Sequence, residues 1–180
     1  MQRIFLFFLL SSLNFVSFAN EPELLGYRLG AGDLISINVY NENDLSLEIR
    51  IGLSGQISYP LLGDVILSGL TPKLLEEILT RGLKGPYLTD PSVNVSIIEY
   101  RPFYIFGEVK KPGSYAFHPG LTVDKAISIS GGFTERASKG SIYVTHDNFK
   151  KGNQREEKKQ VELYDVIQPG DVVTIEQSFF

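Results

Sequence analysis

Apolar residues at every second position mark the first clear element: Ile35, Ile37 and Val39 alternate with Ser36 and Asn38, which predicts a half-buried strand. The same period returns at Val93, Val95 and Ile97 within residues 92–99, and further strands are expected over 47–51 and 57–65. Pro60 interrupts the last of these. It has no N–H to give a ladder, so that run is an edge strand or a strand-to-turn junction. The period then becomes helical. Thr71 is placed as N-cap and Pro72 as the first helical residue, with Leu74, Leu75, Ile78 and Leu79 on one face. Glu77 and Arg81 pair at i,i+4 on the other face, and Gly85-Pro86 ends the helix.

Near residues 99–102 the pattern restarts. Residues 103–107 read as a strand apolar on both faces, 114–117 as a short strand, and Thr122 through Ala126 and Ile127 as a second helix that stops at Gly131-Gly132. Strands follow at 141–145, 161–163 and 172–175, with the polar, lysine-rich stretch 147–160 as an exposed hairpin tip. Strand, turn, strand, helix and further strands make a β-grasp pattern: one helix laid on a small mixed sheet. The expected class is α+β in two small domains, residues 24–100 and 101–177. Two stretches echo each other across them. Gly30-Ala31-Gly32-Asp33 precedes LISINVY, and Gln168-Pro169-Gly170-Asp171 precedes VVTIEQ, each a Gly-Asp turn feeding a β-branched strand.

The first residues differ from the rest. Arg3 is the only charge before Glu21, the run from Ile4 to Leu10 is unbroken in its apolar character, and Ser17-Phe18-Ala19 ends the segment, so residues 1–19 read as a cleaved secretory signal peptide. An uncleaved membrane anchor fits less well, because Ser11, Ser12 and Asn14 break the apolar run short of the roughly 18–20 residues a spanning helix needs. A leader of this kind predicts export from the cytoplasm. The chain has no cysteine, which excludes disulfides, thiolate metal sites and a thioether-linked lipid, so stability must come from packing.

After removal of the leader the chain has 16 basic and 21 acidic residues. The balance is uneven: residues 20–100 hold 5 basic and 11 acidic groups, residues 101–180 hold 11 and 10. Nucleic acid is not an expected partner, since phosphate contact needs clustered positive charge. Halves of different sign can instead meet head to tail.

The stretch GEVKKPGSYAF, residues 107–117, raises the question of a phosphate-cradling loop. Gly107 and Gly113 enclose five residues where a nucleotide phosphate loop encloses four, and no Lys-Ser/Thr pair follows, so the stretch reads as a hairpin bent at Pro112-Gly113 with Lys110 and Lys111 solvated. Asp33, Asp64 and Asp171 offer carboxylates for glycoside cleavage, but each follows a glycine at the start of a strand, where aspartate satisfies turn backbone. His118 and His146 lie in different segments and read as solvated loop residues rather than metal ligands. Tyr100, Phe103, Tyr104 and Phe106 either stack on sugar rings or pack in the core or between protomers, and packing is the default. Phe180 reads as an ordinary terminus, and Lys150, Lys151, Lys158 and Lys159 as a solvated tip. No catalytic, cofactor or metal residue is expected.

Taken together, YRLGAGDLISINVY, GQISYPLLGDVILSGLTPKLLEEI and DPSVNVSIIEY resemble, in order and spacing, the polysaccharide export domain of the bacterial outer-membrane polysaccharide exporter family. GEVKKPGSYAFHPGLTVDKAISISGGFTERASKGSIYV, closing with QPGDVVTIE, is similar to the soluble-ligand-binding β-grasp domain that follows it there, and the two cover about residues 24–176. The resemblance implies turn-setting roles for Gly32, Asp33, Pro60, Gly63, Asp64, Pro91, Gly107, Pro112, Gly113, Gly131, Gly132, Gly170 and Asp171. It implies a homo-oligomeric ring through which capsule or exopolysaccharide passes, with an inner-membrane copolymerase or chain-length tyrosine kinase as partner. Large members carry a lipidated cysteine and a C-terminal membrane-crossing helix. This chain, ending at Ser178-Phe179-Phe180, resembles the short members, which pass polymer to a separate outer-membrane barrel. A position that is often arginine in the family falls at Thr145 or His146. The alternatives are a monomeric glycan- or ligand-binding module and, third, a glycan-cleaving enzyme.

Overall fold

The computed structural model describes residues 26–146 and 158–178; the expected leader and most of the lysine-rich tip lie outside them. The first domain begins with β1 (Leu34–Val39) and β2 (Leu47–Arg50), continues through the hairpin β3 (Gln56–Tyr59) and β4 (Gly63–Ile66), and ends with α1 (Pro72–Leu83) and β5 (Val93–Glu99). β2, β1 and β5 form an antiparallel sheet in that order. The expected alternation holds: Ile35, Ile37 and Val39 are buried, and they share a core with Val95 and with Leu75, Leu79 and Leu83 of α1. Thr71 caps α1 by accepting from Leu74 N at 3.2 Å.

The buried stripe of α1 is narrower than expected. Leu75, Leu79 and Leu83 are fully buried, whereas Leu74 and Ile78 are 43% and 38% exposed, because a straight helix on a sheet presents only one line of i,i+4 residues to it. The expected Glu77–Arg81 pair does not form; Glu76 does the work instead. Its Oε2 meets Lys73 Nζ at 3.2 Å, and its Oε1 accepts from Val95 N at 2.9 Å, tying α1 to β5. Pro60 and Leu61 form the turn between β3 and β4, closed by Leu62 N donating to Tyr59 O. Leu61 has φ +66°, a conformation usually left to glycine or asparagine.

The second domain comprises β6 (Phe103–Gly107), β7 (Gly113–Tyr115), α2 (Val123–Ile129), β8 (Ala137–Thr145), β9 (Lys158–Gln160) and β10 (Val172–Gln177). The sheet order is β7-β6-β10-β8-β9, with first and last strands β6 and β10 parallel at its centre and the other pairs antiparallel. This is the β-grasp arrangement, and α2 covers one face through Val123, Ala126 and Ile127. A strand over 161–163 does not form. β9 lies at 158–160, and Val161 and Leu163 pack against the core edge instead.

The connection from β6 to β7 is more than a free turn: Lys110 N donates to Gly132 O at 3.0 Å and Lys111 N to Ser130 O at 2.9 Å. The loop is thereby docked on the C-terminal end of α2, where Gly131 and Gly132 both have φ +87°. Among the described residues no helix is long and apolar enough to cross a membrane, which says nothing of strands.

Candidate functional site: the joint between the domains

Two turns of the same construction meet at the junction. In the first, Asp33 N donates to Gly30 O at 3.2 Å while Gly30 N donates back to Asp33 Oδ2 at 2.8 Å. In the second, Asp171 N donates to Gln168 O at 3.1 Å and Gln168 N to Asp171 Oδ2 at 2.7 Å. Gly32 and Gly170, just before each aspartate, have φ +96° and +88°, and the reciprocal bonds require that left-handed step. Both carboxylates are buried, so each needs further partners.

Asp33 finds them across the junction. Its Oδ1 accepts from Arg101 N at 2.8 Å, and its Oδ2 accepts from Tyr27 Oη at 2.6 Å and from Arg101 Nη1 at 3.2 Å. Arg101 Nη1 also donates to Tyr27 Oη at 3.0 Å, and the guanidinium lies 5.6 Å from the centre of the Tyr27 ring. Its Nε donates to Pro169 O at 3.1 Å, so one side chain clamps the first turn to the second. Gly170 N completes the joint by donating to Pro102 O. Tyr27 stacks edge-on against Tyr100, which does the same to Phe117 of the second domain. Burial and the neighbouring Asp33 carboxylate drive the Tyr27 phenol well above its ordinary pKa, so it remains a donor.

Asp171 uses a different partner, His146, whose Nδ1 is 2.7 Å from Asp171 Oδ1. The expectation of a solvated His146 is thus corrected: β8 ends beside the β10 turn, and the imidazole closes on the carboxylate. His118 is exposed. Burial raises the Asp171 carboxyl above the usual carboxylate range, against the opposing effect of the Gln168 N–H and His146. The folded state therefore holds this proton to higher pH than the unfolded chain does. Stability from this group falls as pH rises from the ordinary aspartate range through the raised value. Asp171→Asn is expected to remove that fall, so that urea denaturation over an acidic pH series shows the variant gaining on the wild type across that window. Parallel curves would contradict it.

The remaining turn residues are dispersed. Asp64 is exposed on β4, away from the joint, with no turn bond of the Asp33 kind. Gly63 has φ +70° opposite Tyr59. Pro91 is buried just ahead of β5, and Pro112 is exposed ahead of Gly113 at the start of β7. Gly107 has φ +86° at the end of β6. The three aspartates are not gathered into one site, and among the described residues no three His, Cys, Asp or Glu side chains cluster to hold a metal ion.

Arg101, the residue that holds the joint, was not singled out by sequence reasoning; its only signal is a charge placed directly before Pro102 where the two patterns meet. Beside it opens a cleft of about 420 Å³, lined by Gly32, Ile51, Leu53, Arg101, Pro102 and Tyr104 among others. The aromatic strand divides at this point. Phe103 is fully buried, whereas Tyr104 and Phe106 are 38% and 46% exposed, with ring planes 2° apart and centroids 6.5 Å apart. Burial on both faces of β6 is therefore not what the described residues show.

Residues 21–98 match the family of polysaccharide biosynthesis/export proteins, and residues 102–155 match the SLBB domain. An export domain followed by a β-grasp domain, clamped at one arginine, is the class of protein that fold and joint define. The chain carries a polysaccharide biosynthesis/export domain followed by an SLBB domain. It is 38% identical over 130 residues to the exopolysaccharide production protein ExoF of Rhizobium meliloti, covering 66% of this chain and 31% of that protein. It is 28% identical over 150 residues to the polysialic acid transport protein KpsD of Escherichia coli, covering 80% and 25%. With the EPS I polysaccharide export outer membrane protein EpsA of Ralstonia nicotianae it shares 26% identity over 132 residues, 59% and 34% of the two chains. The aligned region spans about a quarter to a third of the length of these relatives.

Proposed function

We propose that this chain is a periplasmic, outer-membrane-associated component of a capsule or exopolysaccharide export machine, working as a ring-forming conduit or adaptor that breaks no bond in the polymer. The observation that carries the reading is the Arg101 joint, which makes two small domains into one subunit of fixed shape. A ring closes only when every copy presents the same two surfaces at the same angle, and a freely hinged pair would not. The acidic first half and the near-neutral, lysine-rich second half favour head-to-tail contact between copies. The names of the relatives supply polysaccharide as the cargo. A copolymerase or chain-length tyrosine kinase of the inner membrane and a separate outer-membrane barrel are the partners this role requires.

Light scattering on the leaderless chain is expected to show concentration-dependent oligomers, and cells without the gene are expected to retain polymer behind the outer membrane. A monomer at every concentration together with normal secretion would overturn the proposal. Oligosaccharide binding by that monomer would favour the ligand-binding module.

A further inference from the structure

We infer that the open face of the second domain's sheet is a binding track for an extended, uncharged pyranose chain, entered from the cleft beside Arg101. The inference rests on the export reading and assigns the cargo a site. α2 packs one face of the sheet, and the residues of the other face are exposed or only partly buried: Tyr104, Phe106, Val172, Thr174 and Tyr143. On that open face Tyr104 and Phe106 stand two residues apart along β6, in parallel planes and about half exposed. Tyr104 also lines the cleft, so the concave entrance and the aromatic pair are continuous.

The strand register fixes what lies beside them. Phe106 pairs with Thr174, Thr174 with Tyr143, and Tyr143 with Gln160, so one row across the sheet runs from an aromatic face to hydroxyl and amide groups. Pyranose rings carry apolar C–H faces and equatorial hydroxyls, and flat rings flanked by neutral donors and acceptors match both. The charge on this face is cancelled locally: Lys158 Nζ is 2.7 Å from Glu176 Oε1 and lies over the Tyr143 ring at 4.2 Å. An anionic polymer would therefore find this lysine already paired. A second copy of the chain fits less well. A stable protein interface needs roughly 800 Å² per partner around an apolar centre, and two half-exposed rings beside one partly buried valine, with threonines across the same rows, offer a smaller apolar centre than that.

The test is calorimetric titration of the leaderless chain with neutral β-linked hexasaccharides of glucose and of galactose, with polysialic acid as the anionic comparison. The neutral hexasaccharides are expected to bind with little dependence on salt. The double variant Tyr104→Ala/Phe106→Ala is expected to weaken that binding about tenfold or more, from two aromatic contacts. Tyr164→Ala removes a more exposed aromatic from the loop beside α2 and is expected to leave binding unchanged. Unaltered melting of both variants by circular dichroism excludes misfolding.

No binding of either neutral hexasaccharide overturns the inference, as does equal binding by wild type and double variant. Loss of self-association in the double variant with binding retained reassigns the face to contact between copies. If the wild type binds through these rings yet never oligomerises, the conduit proposal fails and the track stands. If it oligomerises and the double variant binds normally, the track alone fails.

Discussion

Asp33→Ala is expected to destabilise the protein by about 3–5 kcal/mol and to resolve one unfolding transition into two. The carboxylate is fully buried and serves four donors: Gly30 N, Tyr27 Oη, Arg101 N and Arg101 Nη1. Truncation removes the carboxylate paired with the Arg101 side chain, 14% exposed, and leaves it the Pro169 carbonyl and the Tyr27 hydroxyl as hydrogen-bond acceptors. Removing one partner of a buried ion pair costs far more than the pair contributes, because the remaining charge stays desolvated. The turn that starts β1 also loses its reciprocal bond. Since the two hydrophobic cores share no buried residue, loss of the clamp leaves each to melt at its own midpoint. Urea denaturation followed by circular dichroism and by limited proteolysis between the domains reads both effects. A single transition at the wild-type midpoint would show that the joint contributes nothing. Asp33→Asn should lie between, because an amide still accepts from Gly30 N but offers Arg101 no charge.

Gly107→Ala is expected to prevent the second domain from folding, or to cost it more than about 4 kcal/mol, while the first domain keeps its transition. A Cβ at this position would sit 1.9 Å from the carbonyl oxygen of Ile175, and 3.0 Å from its carbon. Those are backbone atoms of β10, the strand parallel to β6, so no side-chain rotation relieves the clash. The φ of +86° adds strain of its own for any residue with a Cβ. Moving β10 away would break Glu108 N donating to Ile175 O and open the centre of the sheet. Circular dichroism combined with proteolytic mapping of the second domain is the measurement, and a stable, protected second domain would contradict the expectation. At Gly140 of β8, by contrast, nothing lies within 4 Å of the added carbon and φ is not positive, so Gly140→Ala is a suitable control in the same domain.

Much of the fold was legible because it is written in local chemistry. A β-branched alternation such as Ile35-Ile37-Val39 has one way to bury its apolar side, and Thr71-Pro72 starts a helix by satisfying a backbone donor and fixing φ. The kinship of the two Gly-Asp turns is local for the same reason, since the bonds that define each span three residues. The failures were those of facing. Leu74 and Ile78 look as apolar as Leu75 and Leu79, and only the position of the sheet decides which pair is buried. Tyr104 and Phe106 cannot be told from Phe103 and Ile105 until α2 takes one side.

What the amino-acid order determined by itself is the set of turns, caps and strands, the α+β class, and the likeness to the export family, all carried by residues close together along the chain. What tertiary structure alone decided is the joint. Arg101 stands directly before Pro102 with no motif around it to mark its role. It becomes largely covered and charge-paired only when turns 68 residues away on both sides converge on it, and no local pattern encodes that meeting.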